Sequence, residues 1–289
     1  MVTRKDITEA LFRLGVKNGD ILLFHSSLKS LGEVEGGADA VIDGMLDALS
    51  PDGTLVAPTL VQKDFHNAYK NWDIKKTPSD VGYLTEVLRL RPNAYRSNQA
   101  THSVAAIGKD AESLTVGHTA YGPRHHLYGR YAFSESSPWQ KMYDRGGKLL
   151  FLGVTPRCAT YHHFVEARMM QGRLDAIPEG EKKQALASRL IPFENIAEFS
   201  RQHTERRLNG VPMTLLAPMI TGDKVLLMQE IFRERGLEKS TTCGNATLLL
   251  YDVREFVDAM EKLASEEPER WFPPEEAAWF READALIKQ

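Results

Sequence analysis

Two cysteines, Cys158 and Cys243, are all that 289 residues contain. They form no C-x-x-C pair, so a disulfide scaffold and a thiolate metal knuckle are both excluded, and a reduced, cytoplasmic protein is expected. No apolar run approaches the ~18 to 20 residues of a membrane span. The first residues, MVTRKDITEALFRLG, mix charge and apolar side chains at helical spacing, unlike the apolar stretch of a signal peptide. Basic residues are not in excess: the formal net charge is −3. No basic stripe occurs, so no nucleic-acid partner and no membrane partner are expected. A mildly acidic surface is compatible with a cationic substrate without demanding one.

Several signatures are missing as well. Neither G-x-x-x-x-G-K-[ST] nor G-x-G-x-x-G occurs, which removes support for ATP-loop and dinucleotide readings. Without G-x-S-x-G there is no nucleophile elbow. The R-x-x-G-x-[GA] pyrophosphate loop of the small acetyltransferase fold is also absent. H-E-x-x-H and H-x-H are absent; the pairs His125-His126 and His162-His163 would point about 100° apart on a helix, so no metal is expected. Cys158, near His163, could be offered as a nucleophile, but a small buried thiol beside a strand is its ordinary explanation.

What is present is an alternation of strands and helices in a chain of ordinary globular composition, 42% hydrophobic and 26% charged. Thr3 to Asp6 opens a helix with Ile7, Leu11 and Leu14 as its apolar stripe and Gly15 as its stop. Ile21 to Phe24 is a short strand with His25-Ser26-Ser27 at its C-terminal end. A loop from Leu28 to Gly37, a helix from Ala38 to Leu49 and a strand from Thr54 to Ala57 complete a βαβ unit, which implies parallel pairing. Residues 60–80 lack periodicity and read as a surface segment. Val81 to Leu90 is a short helix. The strand Val104 to Ile107 is preceded, not followed, by its polar triplet. If that triplet shares the polar edge of the other strands, this strand runs antiparallel and the sheet is mixed. Gly117 to Ser137 is a polar loop, and Ser137-Pro138 starts a helix. Lys148 to Val154 is a buried strand after a Gly-Gly turn. Beyond Arg168 the pattern weakens: a charged helix at Glu179 to Arg189, another at 193–207, apolar pieces at 213–216 and Lys224 to Leu227, a strand at Thr247 to Tyr251, a helix at Val253 to Leu263, and an appended tail helix. One α/β domain with a smaller embedded lobe is the simplest organisation.

Three stretches carry chemistry. In the helix read from about Thr160, the polar residues Thr160, His163 and Glu166 follow at spacings of three, so His163 can meet both of the others. A base beside a hydroxyl with a carboxylate behind it suits acid-base work; equally, Thr160 could cap the helix and His163 be an ordinary surface imidazole. A carboxylate at that distance favours the imidazolium and would raise the pKa of His163. The second stretch, His25-Ser26-Ser27 with Leu28, Lys29, Ser30, Gly36 and Gly37, lies between a strand and a helix N-terminus, where backbone donors and glycines suit a phosphate or pyrophosphate. A plain turn is the alternative. The third, Thr101-His102-Ser103, offers hydrogen-bonding side chains that could also serve local backbone groups.

Together these stretches carry a resemblance. GDILLFHSSLKSLGEVEGGADAVIDGMLDALSPDGTLVAPT, THSVAAIG, ESSPWQKMYDRGGKLLFLGV and TYHHFVE, in that order, resemble the aminoglycoside 3-N-acetyltransferase family. The likeness covers residues 3–170 well and residues from about 171 poorly, apart from Leu248 to Leu263, within a single domain spanning 1–289. It implies a three-layer α/β/α sandwich around a mixed sheet with a smaller embedded lobe. It also implies acetyl transfer from acetyl-coenzyme A, as co-substrate, to a primary amine of an aminoglycoside or related amino sugar. By the same resemblance, His163 is the general base, Glu166 its support and Thr160 the oxyanion donor. His25 to Ser30 with Gly36 and Gly37 form the coenzyme A pyrophosphate and pantetheine site, and Thr101, His102 and Ser103 line the thiol end. Two departures bear on the acceptor. Pro58-Thr59 is followed by Leu60-Val61-Gln62, where the family carries an aromatic. The loop before Glu135 is basic, with Arg124, His125, His126 and Arg130, whereas a polycation calls for acidic surroundings.

Overall fold

A computed structural model describes residues 1–64, 67–191 and 215–289; the helix expected at 193–207 lies outside them, as does the first half of the piece at 213–216. Seven strands form one sheet: β1 (Ile21–Ser26), β2 (Thr54–Pro58), β3 (Tyr95–Arg96), β4 (Val104–Gly108), β5 (Lys148–Leu152), β6 (Lys239–Cys243) and β7 (Ala246–Asp252). Their order is β3-β4-β2-β1-β5-β7-β6. The centre, β2-β1-β5, is parallel, while β4 runs antiparallel to β2 and β7 antiparallel to β5. The sheet is therefore mixed, and the strand that follows Thr101-His102-Ser103 has the expected direction.

Alternation along the strands sends side chains to two separate cores. Leu22, Phe24, Leu55, Ala57, Leu150 and Leu152 face α1 (Arg4–Leu14) and α2 (Gly37–Leu49). Leu23, Val56, Leu149, Phe151 and Tyr251 face the opposite way. That second core receives α3 (Pro138–Asp144), α4 (Tyr161–Ala176), α5 (Gly222–Glu234), α6 (Val253–Glu266) and α7 (Pro274–Ile287). These are the three layers of an α/β/α sandwich. Phe151 and Phe164 are fully enclosed there; truncating either to alanine should cost about 3–5 kcal/mol.

Local signals set the helix starts. Thr3 and Asp6 form a capping box at α1, and Gly15, with φ of 87°, closes it. Ser137 accepts from the Gln140 N–H with Pro138 at the first position of α3. The segment 60–80 is tied down from two sides: Asp80 accepts from the N–H groups of Gln62 and Lys63. The half-buried guanidinium of Arg96 reaches the carbonyls of Thr59, Ile74 and Thr77. The tail packs through Trp271 and Trp279, both buried, and Trp279 donates to the Leu186 carbonyl. Among the described residues, no helix is long and apolar enough to cross a membrane.

Four elements differ from expectation. β1 continues through His25 and Ser26, and Gly37 already belongs to α2. The edge strand β6, KSTTC, has no apolar alternation because it is mostly exposed; its turn, Gly244-Asn245, is the two-residue hairpin type, with Gly244 at φ of 55°. Lys224 to Leu227 is part of helix α5, begun by Thr221, whose side chain accepts from the Lys224 N–H.

Candidate active site

The C-terminal ends of the three parallel strands open on one edge. β1 lies between β2 and β5; the chain leaves β1 toward α2 on one face and leaves β5 toward α4 on the other. Such a switch point creates a crevice beyond the strand ends. A cleft of about 870 Å³ occupies it, lined among others by His25, Ser26, Pro58, His102, Tyr128, Val154, Thr160, His162 and His163. That volume is near the upper end for small-molecule sites. Because β4 is antiparallel, its start brings His102 to this same edge.

Helix α4 supplies the chemistry. Thr160 stands at its N-terminus with helical φ and ψ, and its side chain makes no capping hydrogen bond. The capping reading is therefore not realised, and the hydroxyl is left on the cleft wall. One turn on, His163 Nδ1 meets Glu166 Oε2 at 2.8 Å. Thr160 reaches His163 only through backbone, carbonyl to N–H at 3.1 Å, so the side-chain contact expected from the spacing is absent. Glu166 is completely buried. Besides His163 it accepts from His126 Nε2 at 3.0 Å and from the Ile220 backbone N–H at 2.5 Å. With Nδ1 committed to the carboxylate, Nε2 is the His163 nitrogen left for the cleft, where 12% of the side chain is exposed.

The electrostatic expectation for His163 is reversed. Burial disfavours the imidazolium and pushes its pKa down to about 3, because loss of water penalises the charged form. His25, stacked on Phe151 at 5.4 Å, is likewise pushed down to about 3 by burial; its Nε2 accepts a long hydrogen bond, 3.5 Å, from the Thr160 N–H. His162 falls to about 3, and His102 lies well below the ordinary value, both through burial first and neighbouring imidazoles second. The cleft is thus walled by neutral imidazoles. His126, His163 and Glu166 place ligand atoms within 4.8 Å of one another, but Oε2 already accepts from both rings at hydrogen-bond distance, so hydrogen bonds account for the cluster.

Of the residues singled out from sequence, His25, Ser26, His102, Thr160 and His163 share the cleft, with Glu166 behind. Thr101 and Ser103 do not line it. Thr101 donates to the Tyr128 carbonyl and Ser103 to the Thr59 carbonyl. Ser27, Leu28, Lys29, Ser30, Gly36 and Gly37 also lie off the cleft wall, since the chain turns through a 3₁₀ segment, Leu28–Leu31, toward the opposite face. Ser30 packs so closely against Gly153 that a Cβ there would sit 1.6 Å from its Oγ.

Two further expectations change. Cys158 is exposed on the cleft wall, not buried, and its thiol donates to the Thr155 carbonyl. The basic loop does not charge the cleft: Arg124 is buried against the Phe133 carbonyl and Gln140, and His125 meets the Ile191 carbonyl. His126 and the Ile220 N–H went unassigned because their partner, Glu166, is 40 and 54 residues away; the only sequence signal was the His125-His126 doublet.

With this geometry in place, comparisons with known proteins are informative. The sequence model described as aminoglycoside 3-N-acetyltransferase matches residues 23–265. Aminoglycoside N(3)-acetyltransferase III of Salmonella sp is 34% identical over 183 residues, a match covering 58% of this chain and 61% of that protein. Among solved structures, aminoglycoside acetyltransferase AAC(3)-IVa as apoenzyme superposes with a TM-score of 0.68 at 23% identity, covering 97% of each chain. The AAC-IIIb binary structure with CoASH gives 0.67 at 20% identity, covering 94% of this chain and 98% of that one. At these identities the two structures establish the shared fold.

Proposed function

The chain belongs to the aminoglycoside 3-N-acetyltransferase family, and we propose that it is an enzyme transferring an acetyl group from acetyl-coenzyme A to a primary amine of an aminoglycoside or related amino sugar. The observation that carries this reading is the pairing of His163 Nδ1 with the buried carboxylate of Glu166 at the wall of the cleft. An ammonium is not a nucleophile, so the acceptor must lose a proton. The pairing keeps Nε2 unprotonated on the side where an acceptor would lie. The acceptor reacts as the free amine, its ammonium proton released to solvent. The amine nitrogen attacks the thioester carbonyl and passes a proton to Nε2, leaving an oxyanion; as the oxyanion collapses, the C–S bond breaks and Nε2 returns the proton to the departing thiolate. Thr160, with its hydroxyl unused by the helix, donates to the carbonyl oxygen as charge gathers there, worth roughly 2 to 4 kcal/mol for one placed donor.

Acetyl-coenzyme A enters as co-substrate, and a relative in the same fold is named as a complex with CoASH. Its thiol end belongs beside His25, Ser26 and His102, which share the cleft. Its pyrophosphate belongs outside, at Gly36 and Gly37, two consecutive residues of positive φ that form the N-cap and the first residue of α2. One observation favours a second acceptor, less cationic than an aminoglycoside: among the described residues, no Asp or Glu lines the cleft, and Arg157 does. Thiol release from acetyl-coenzyme A, measured with an aminoglycoside, a monoamino sugar and a simple alkylamine, separates the readings. Amine-dependent release is expected. Release with none of them would leave a coenzyme A-binding protein without turnover.

A further inference from the structure

We propose that His126, from the polar loop 117–137, is a positioning residue: a ring locked in one neutral tautomer that shares Glu166 Oε2 with His163 and so sets the orientation of that base. The inference rests on the acetyl-transfer reading of the site. Its ground is the hydrogen bonding of both nitrogens of His126. Nδ1 accepts from the Tyr128 backbone N–H at 3.3 Å, and Nε2 lies 3.0 Å from Glu166 Oε2. A nitrogen that accepts carries no proton, so the proton sits on Nε2 and points at the carboxylate. Protonating the ring would set an Nδ1–H against the Tyr128 N–H. The ring is buried between Tyr128, at 5.3 Å, and Phe133, edge-on at 4.9 Å, and burial holds its pKa down to about 4.

Glu166 therefore receives one neutral donor besides His163. That donor draws on the oxygen His163 uses, so it weakens the pull of the carboxylate on a proton at His163 without adding positive charge. Among the described residues, His102, His162 and Tyr128 stand around the pair, their rings 6.1, 3.8 and 5.0 Å from that of His163, and the buried carboxylate of Glu276 accepts from the Met219 N–H beside Ile220. Removing His126 leaves Oε2 of Glu166 to His163 alone and frees the space that holds the two rings in place. A purely structural residue would not be rescued by a side chain that restores only the donor.

The test compares His126→Leu, His126→Gln and Glu166→Gln. Gln places an amide N–H near the position of Nε2 and should retain the donor. With His126→Leu, kcat should fall roughly 10- to 100-fold, the scale of a small misplacement, with KM for acetyl-coenzyme A unchanged. His126→Gln should recover most of the rate, and Glu166→Gln should lower kcat at least as far as His126→Leu, because it takes the acceptor from both rings. The ionisation of the acceptor is common to all, so differences between variants report the enzyme. Nitrogen-15 spectra of the folded wild type, assigned by the resonance lost in His126→Gln, should show the Nε2–H tautomer from pH 6 to 8. A Nδ1–H or charged ring, or a native kcat in a folded His126→Leu enzyme, would overturn the inference. His163→Gln separates the layers: if it is inactive while His126→Leu matches wild type, only the His126 role fails; if it is fully active, the underlying reading fails too.

Discussion

Two connections leave neighbouring strands at the same edge of the sheet, β5 to α4 and β1 to α2, and they keep different promises. Every residue of the first that chemistry singled out, Thr160, His163 and Glu166, is at the cleft or directly behind it. Of the second, only His25 and Ser26 are there. The difference lies in what spacing fixes. On a helix, residues three apart face the same way whatever surrounds them, so a triplet specifies an arrangement. A loop has no such period, and between Leu28 and Gly37 it leaves the edge for the α2 face of the sheet.

The largest effect is expected from acid, through histidines buried in and around both connections. His25, His102, His118, His126, His162 and His163 are all held neutral with pKa values depressed by burial. The unfolded chain binds these protons near pH 6.5, whereas the folded chain binds five of them only near 3 to 4 and the sixth, on His102, well below the ordinary value. The stabilisation is therefore complete above 6.5 and lost as pH falls below it, by about 1.4 kcal/mol per pH unit for each ring that stays neutral. Urea midpoints should be level from pH 8 to 7 and drop steeply between 6.5 and 5; level midpoints throughout would mean the rings charge in place.

Thr160→Val should lower turnover by roughly 2 to 4 kcal/mol, about 30- to 1,000-fold, because it removes an oxyanion donor. The pH profile should stay where it is, since no titrating group is lost. Native turnover in steady-state assays would remove the hydroxyl from the mechanism.

The smallest effect is expected from the second region. Gly37→Glu should weaken coenzyme A binding about tenfold, about 1.4 kcal/mol, by repelling the pyrophosphate, with kcat little changed. Gly37 has φ of 59°, so any side chain is strained there; Gly37→Ala controls for that strain. Equal affinities for the two variants in calorimetry would detach this loop from the cofactor.

The fold was largely readable because its elements announce themselves. Capping at Thr3 and Ser137, apolar runs at β1, β2, β4 and β5, and the inverted polar triplet before Val104 gave element types and even a strand direction. The edge strand β6 escaped because an exposed strand has no core-facing residues to display a period of two. In the site, the helical half was legible and the tertiary half was not. His126 and the Ile220 N–H reach Glu166 from segments whose sequences say nothing of where they dock. The pKa of His163 was misjudged for a related reason: the carboxylate is visible three residues away, whereas the burial that lowers the pKa comes from distant parts of the chain.

The most direct test of the account is the turnover of His163→Gln, which keeps much of the shape of the ring and removes the base. Measured with saturating acetyl-coenzyme A and an accepted amine, kcat should fall roughly 100- to 10,000-fold, the range for a positioned general base, while coenzyme A affinity stays close to wild type. Near-native turnover by that variant would contradict the assignment of His163 as the base, and with it the central claim.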